Sequence, residues 1–256
     1  EKNNELLVFW TSGLNKIRLV NFAFKISILI TLLVNAFHTA WGPFSLSLYK
    51  EKNAIKTYNL VLKVFSSIIL ISSLILTLIS PLIINILASY KYINIVNLIF
   101  LLTMASTIRG ISWITEIGII ISKKTYLSLI SHSAQFLLTI LLIIILSQYI
   151  GLIGIAISLF IGQIIRSLIE SYYGQYAYPL NWDYLSIIKI IILTIFIGFT
   201  SEFMRYIYGN LITSFSYIIG IILLIYYIFN YHFSVNEQKK IFFYINNYKS
   251  FFNQKK

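Results

Sequence analysis

Apolar residues fill this chain in seven long runs, each separated from the next by a short polar or basic connection. A helix rises 1.5 Å per residue, so about 20 apolar residues cross the hydrocarbon of a bilayer. The runs predict helical spans at Leu19 to Trp41, extending as far as Tyr49, then Leu60 to Ala88, Ile93 to Ser122 and Tyr126 to Ser147. Three more follow at Leu152 to Tyr173, Tyr184 to Met204 and Leu211 to Phe229. The connections are short enough to predict antiparallel packing of consecutive helices. The expected fold is an all-α integral membrane protein, a bundle of about seven transmembrane helices. Residues 1–18 form an N-terminal extracytoplasmic segment, 19–230 the bundle and 231–256 a basic, aromatic cytoplasmic tail.

Composition supports that reading. Hydrophobic residues make up 58% of the chain and charged ones 11%, and mean hydropathy is +0.83, far outside the balance of a soluble domain. Cysteine is absent, which excludes disulfides, thiolate catalysis and cysteine metal sites. No metal or other cofactor is expected.

Twenty Lys+Arg face eight Asp+Glu, and in a membrane chain basic residues first report the cytoplasmic side. Alternating the connections collects Lys50, Lys52, Lys56, Lys123, Lys124, Lys239, Lys240, Lys249, Lys255 and Lys256 on one side. The other side holds Lys91, Arg205 and an N-terminal segment in which Lys2, Lys16 and Arg18 are partly offset by Glu1 and Glu5. The expectation is an N-terminus outside and a C-terminus inside, with nucleic acid excluded as a partner. The chain begins at Glu1 with no signal-peptide pattern, so earlier spans are expected to precede it. The tail "YHFSVNEQKKIFFYINNYKSFFNQKK" interleaves aromatics with lysines, a composition suited to anionic lipid at the membrane interface or simply to fixing topology.

An ionised residue in mid-span costs about 2.5 to 3.5 kcal/mol on insertion scales, so those present face a bundle interior or a wet cavity. Ser106, Arg109, Trp113 and Glu116 share one face of the third span. Gln163, Arg166, Glu170 and Tyr173 repeat that pattern in the fifth, with Arg166 and Glu170 at i, i+4. These charges either pair to hold the bundle together or line a substrate path, where arginine's planar fork suits phosphate. The first span carries Asn21, Lys25, Leu32, Asn35 and Thr39 near one face, with His38 beside it. Lys25 can snorkel to the interface, and His38 reads as a packing residue or a proton shuttle. Trp41-Gly42-Pro43 predicts a bend or an end of the helix, because proline removes a donor and crowds the preceding turn. Gly154, Ser158 and Gly162 at four-residue intervals predict close helix packing, not a nucleotide loop.

Catalytic patterns are scarce. Asp183 is the one aspartate, and His132 in "SHS" has no acidic neighbour in sequence to orient it. A transporter is expected, not an enzyme.

Four segments then carry a resemblance: "FKISILITLLVNAFHTAWGPFSLSLYK" from Phe24, "YKYINIVNLIF" from Tyr90, "IGIIISKKTYLSLI" from Ile117 and "IGLIGIAISLFIG" from Ile150. In that order they resemble the C-terminal half of a bacterial polysaccharide or O-antigen-type flippase. That is the oligosaccharide-lipid branch of the multidrug/oligosaccharidyl-lipid/polysaccharide exporter superfamily, and the match covers most of residues 20 to 165. "TSGLNKIRLVNFA" before Phe24 departs from the Gly-x-Tyr-small pattern of such proteins.

The resemblance implies one lobe of a two-lobed, alternating-access transporter of undecaprenyl-diphosphate-linked oligosaccharide in the bacterial cytoplasmic membrane. Its partners would be that lipid, the surrounding membrane lipids and a missing N-terminal lobe of the same protein. Lys25 would be a cavity-facing diphosphate contact. The full candidate substrate-binding set is Lys25, Asn35, His38, Arg109, Glu116, Arg166 and Glu170, with no catalytic or metal-binding residue. The competing expectations are a cation-coupled multidrug exporter of the same superfamily, a membrane-embedded polysaccharide-assembly enzyme and a non-transporting scaffold.

Overall fold

The computed structural model describes residues 2–51, 53–87 and 95–243, with side-chain environments from Val20 onward, Leu211 aside. The expectations placed on Glu1, Lys52, Lys91, the start of the Tyr90 segment and the tail from Tyr244, including Lys249, Lys255 and Lys256, lie outside the described residues. The same holds for the side chains of Lys2, Glu5, Lys16 and Arg18.

Among the described residues every regular element is helical. The helices are α1 (Lys2–Leu48), α2 (Ala54–Leu87), α3 (Val96–Thr115), α4 (Ile117–Ile121), α5 (Tyr126–Ile150), α6 (Leu152–Ala177), α7 (Tyr184–Tyr208) and α8 (Asn210–Tyr227). α8 runs on into a π-turn at Ile228–His232, and residues 235–243 add a short helical segment. Among the described residues seven spans are long and apolar enough to cross a membrane, α3 and α4 together forming one of them. The protein is a multi-pass, all-α membrane bundle.

α3 is the axis of the packing, with 15 of its 20 residues buried. α1, α2 and α6 pack against it. Neighbourhood therefore does not simply follow chain order, as the short connections predicted: α3 joins helices that are distant in sequence, while α5 packs chiefly on α6.

Two details depart from the expected elements. The third span is interrupted at Glu116, whose amide still donates to the Ser112 carbonyl (2.9 Å) while its own carbonyl accepts from Ile119 (2.8 Å). The helix does not end at Trp41-Gly42-Pro43, since α1 continues through Pro43 to Leu48. Proline costs one backbone bond, and the turn around it is held by other means. The Ser45 hydroxyl donates to the Gly42 carbonyl (2.8 Å), and the fully buried Tyr58 donates its hydroxyl to the Ser45 carbonyl from α2. Trp41 packs edge-on against the same tyrosine at 5.5 Å.

Small residues set the closest crossings, as the four-residue spacing predicted. A methyl group on Gly154 would run into the Leu146 carbonyl of α5, one on Gly162 would strike Thr139, and Ser158 between them is fully buried. The same principle acts where α4 meets α6. A Cβ on Gly118 would collide with the Gly174 backbone, and one on Gly174 would lie 2.7 Å from the Thr115 carbonyl oxygen.

One ionic cluster joins three elements at the end of the bundle where α2 begins. Lys63 Nζ lies 2.9 Å from Asp183 Oδ2, in the α6–α7 connection, and 3.4 Å from Glu237 Oε1, beyond α8. Asp183 also caps α7 by accepting from the Ser186 amide (3.3 Å). Ser234 and Glu237 form a reciprocal capping box of 2.8 and 3.3 Å. Burial opposes ionisation of both carboxyls, but the bonds from Lys63 and Ser186 at Asp183, and from Ser234 and Lys63 at Glu237, outweigh it. Both are held below the ordinary carboxylate values.

Candidate functional site in the membrane interior

Three of the helix faces read from the sequence converge on one region, and a fourth, on α5, completes it. A cavity of about 520 Å³ opens between α1, α3, α5 and α6. Asn21, Lys25 and Thr31 line it from α1, Ser106 and Arg109 from α3, Gln135 from α5 and Gln163 from α6. The Thr31 hydroxyl donates to Ser106 at 3.2 Å, and Gln135 Nε2 donates to Gln163 Oε1 at 3.2 Å, so neutral polar contacts frame the opening. Lys25 and Arg109 are both exposed to it, and neither forms an ion pair among the described residues.

Arg109 rests on an aromatic support. Its guanidinium carbon lies 4.8 Å from the centre of the Trp113 ring, one turn along α3. The His38 ring of α1 packs against the same indole at 4.0 Å. The structure thus makes His38 a half-buried packing partner of the tryptophan under Arg109. Asn35, exposed on α1 one turn beyond Thr31, lies outside the residues lining the cavity.

Beyond Gln163 the interior becomes ionic. Arg166 Nε donates to Glu170 Oε1 at 2.6 Å, and the Ser131 hydroxyl of α5 donates to the same oxygen at 3.0 Å. Both charged residues are buried, with Arg166 5% and Glu170 0% exposed. The second carboxylate oxygen, Oε2, is buried without a hydrogen-bond partner. His132 Nδ1 stands 3.8 Å from Oε1. Glu116 accepts from the Ser128 hydroxyl at 2.6 Å. Arg109 interacts electrostatically with both Arg166 and Glu170, so the cavity and the pair share one field.

Of the seven sequence-predicted residues, Lys25 and Arg109 meet in the cavity. Arg166, Glu170 and Glu116 form the ionic layer behind it, His38 supports Trp113, and Asn35 stands apart. Sequence reasoning missed the α5 contribution. Ser128, Ser131 and Gln135 are spaced i, i+3, i+7 on that helix, a stripe of the same kind as those on α3 and α6, but uncharged. It also missed Lys63 and the Glu202 cluster, in which Arg205 donates to Glu202 Oε2 at 2.9 Å and Tyr217 to Oε1 at 2.6 Å. No family model, curated protein or solved structure matches the chain.

Proposed function

We propose that this chain is one lobe of an alternating-access flippase. It moves undecaprenyl-diphosphate-linked oligosaccharide from the inner to the outer leaflet of the bacterial cytoplasmic membrane for surface polysaccharide assembly. The observation that carries the reading is a pair of cations, Lys25 and Arg109, facing one cavity inside an apolar bundle with no carboxylate partner among the described residues. Uncompensated positive charge at that depth is costly, and an anionic headgroup is the ligand chemistry that offsets it. Arg109 offers a forked donor to a diphosphate, Lys25 a point charge. Asn21, Gln135, Gln163 and Ser106 supply neutral donors and acceptors suited to sugar hydroxyls. The lipid tail stays in the bilayer while the second lobe, carried elsewhere in the protein, closes the other wall. No bond is made or broken. The lysine-rich connections support an orientation with the N-terminus of the chain outside and the C-terminus in the cytoplasm.

The test is complementation in a bacterial strain lacking its own polysaccharide flippase, using the full-length parent protein. Restored surface glycan, lost in well-expressed Lys25→Ala and Arg109→Ala variants, supports the reading and its site. Restoration that survives both substitutions sinks the site, and export of cationic drugs without any glycan transfer favours the multidrug-exporter alternative.

A further inference from the structure

Glu170 is the least conventional charged group in the interior. It is 0% exposed, one of its oxygens has no partner, and its ion pair with Arg166 rests on a single hydrogen bond from Nε. Every other group that faces it is already engaged or distant. Arg166 belongs to α6 itself. From α5, His132 approaches to 3.8 Å while its Nδ1 lies 2.6 Å from the Ser128 carbonyl oxygen. From the α3–α4 junction comes Glu116, a like charge already bonded to Ser128, and from α3 comes Arg109, which faces the cavity. Of the α1 groups, Lys25 lines the cavity with Arg109 and His38 packs against Trp113, while Lys124 stands 5.8 Å from the Tyr176 ring. Arg166 is thus the only full cation in hydrogen-bond contact with Glu170 among the described residues.

An anionic headgroup in the cavity competes for that cation. Arg166 lies one turn past Gln163, which lines the cavity, and its terminal nitrogens are not used on Glu170. If Arg166 turns toward a phosphate, Glu170 keeps only the Ser131 hydroxyl, with an ionised carboxylate sealed from water. A buried charge stripped of its partner is neutralised by taking a proton. We propose that Glu170 is a substrate-linked proton site. Binding of a diphosphate by Arg109 and Arg166 transfers one proton from water to Glu170 Oε2, and release of the diphosphate returns Arg166 to Glu170 and expels the proton. The site would then link each diphosphate binding event to the uptake of one proton. This rests on the flippase reading of the same cavity.

The experiment is isothermal titration of the purified full chain in lipid nanodiscs with farnesyl diphosphate, in buffers of different ionisation enthalpy. The expected result is uptake of about one proton per diphosphate bound, with apparent affinity rising up to about tenfold per pH unit lowered. Glu170→Gln should bind with no uptake, and Arg166→Met should also show none, because its Glu170 is already neutral. An infrared difference spectrum of the unmutated protein gives an independent reading, in which a protonated-carboxyl band grows on diphosphate addition. Binding without uptake or without that band overturns the inference and leaves the flippase reading standing, as does uptake that persists in Glu170→Gln. Absence of any diphosphate binding by the unmutated protein overturns the flippase reading and this inference with it.

Discussion

Replacing Lys63 with methionine tests whether the cluster at the start of α2 holds the C-terminal segment to the bundle. Methionine keeps most of the buried stem and removes only the charge. The lost contacts are a short one to Asp183 (2.9 Å) and a longer one to Glu237 (3.4 Å). A hydrogen bond to a charged partner contributes about 1.5 to 3 kcal/mol when protected from water. The Asp183 side chain is 41% exposed and that of Glu237 24%, so solvent screening brings the total for both to about 2 kcal/mol. At about 2 to 4 °C per kcal/mol for a chain of this size, the variant should melt about 4 to 8 °C lower at pH 7.

The pH dependence supplies the sharper check. Both carboxyls are held below their ordinary values in the fold. Their contribution is therefore present above the unfolded values of about 3.9 and 4.3 and is lost as pH falls through the lower folded values. Protonation removes the partners of Lys63, so the gap between the native protein and Lys63→Met should narrow steadily below about pH 4. Thermal unfolding in detergent, followed across pH 7 to 3, measures it. Equal melting at pH 7, or a gap that is undiminished at pH 3, would refute the assignment.

Three further outcomes follow from the packing and the cavity. Arg109→Ala removes a charge-assisted contact of about 1.5 to 3 kcal/mol and should lower diphosphate affinity roughly 10- to 150-fold in equilibrium binding; Asn35→Ala, outside the cavity, should leave it within twofold. Gly118→Leu must push α4 off the Gly174 backbone, and the overpacking should cost at least about 1 to 3 kcal/mol, read as a lower melting temperature than Gly42→Leu, where nothing stands within 4 Å of a Cβ. Since the chain has no cysteine, a single Lys239→Cys label reports topology: a membrane-impermeant maleimide should react only after the cells are opened.

The spans were legible because hydrocarbon thickness demands long apolar runs, and that signal is local. So were the faces of α3 and α6, since an arginine and a glutamate in mid-span have few tolerable places to point. The continuation of α1 through Pro43 was not, because it depends on Tyr58 and Trp41 meeting across two helices. The interruption at Glu116 was equally hidden. Lys63 was overlooked for a related reason. It lies inside an apolar run, and Glu237 is 174 residues further along the chain, so nothing near it in sequence announces a partner. The Ser234–Glu237 capping box, by contrast, had a legible Ser-x-x-Glu signature. The polar stripe of α5 was readable by spacing but carried no charge to draw the eye.

The way α5 is attached has an electrical consequence. Its inner face supplies Ser128 and Ser131 to the ionic layer and Gln135 to the cavity, while of its residues only Leu127 and Ser131 are buried. A single helix, about 10 Å thick, insulates Arg166 and Glu170 from whatever flanks the bundle there. Prying α5 outward would short those charges against hydrocarbon, whereas parting α1 from α3 admits water to groups that already face a cavity. The bundle therefore has one flank sealed by a single helix and another, between α1 and α3, that already faces a cavity.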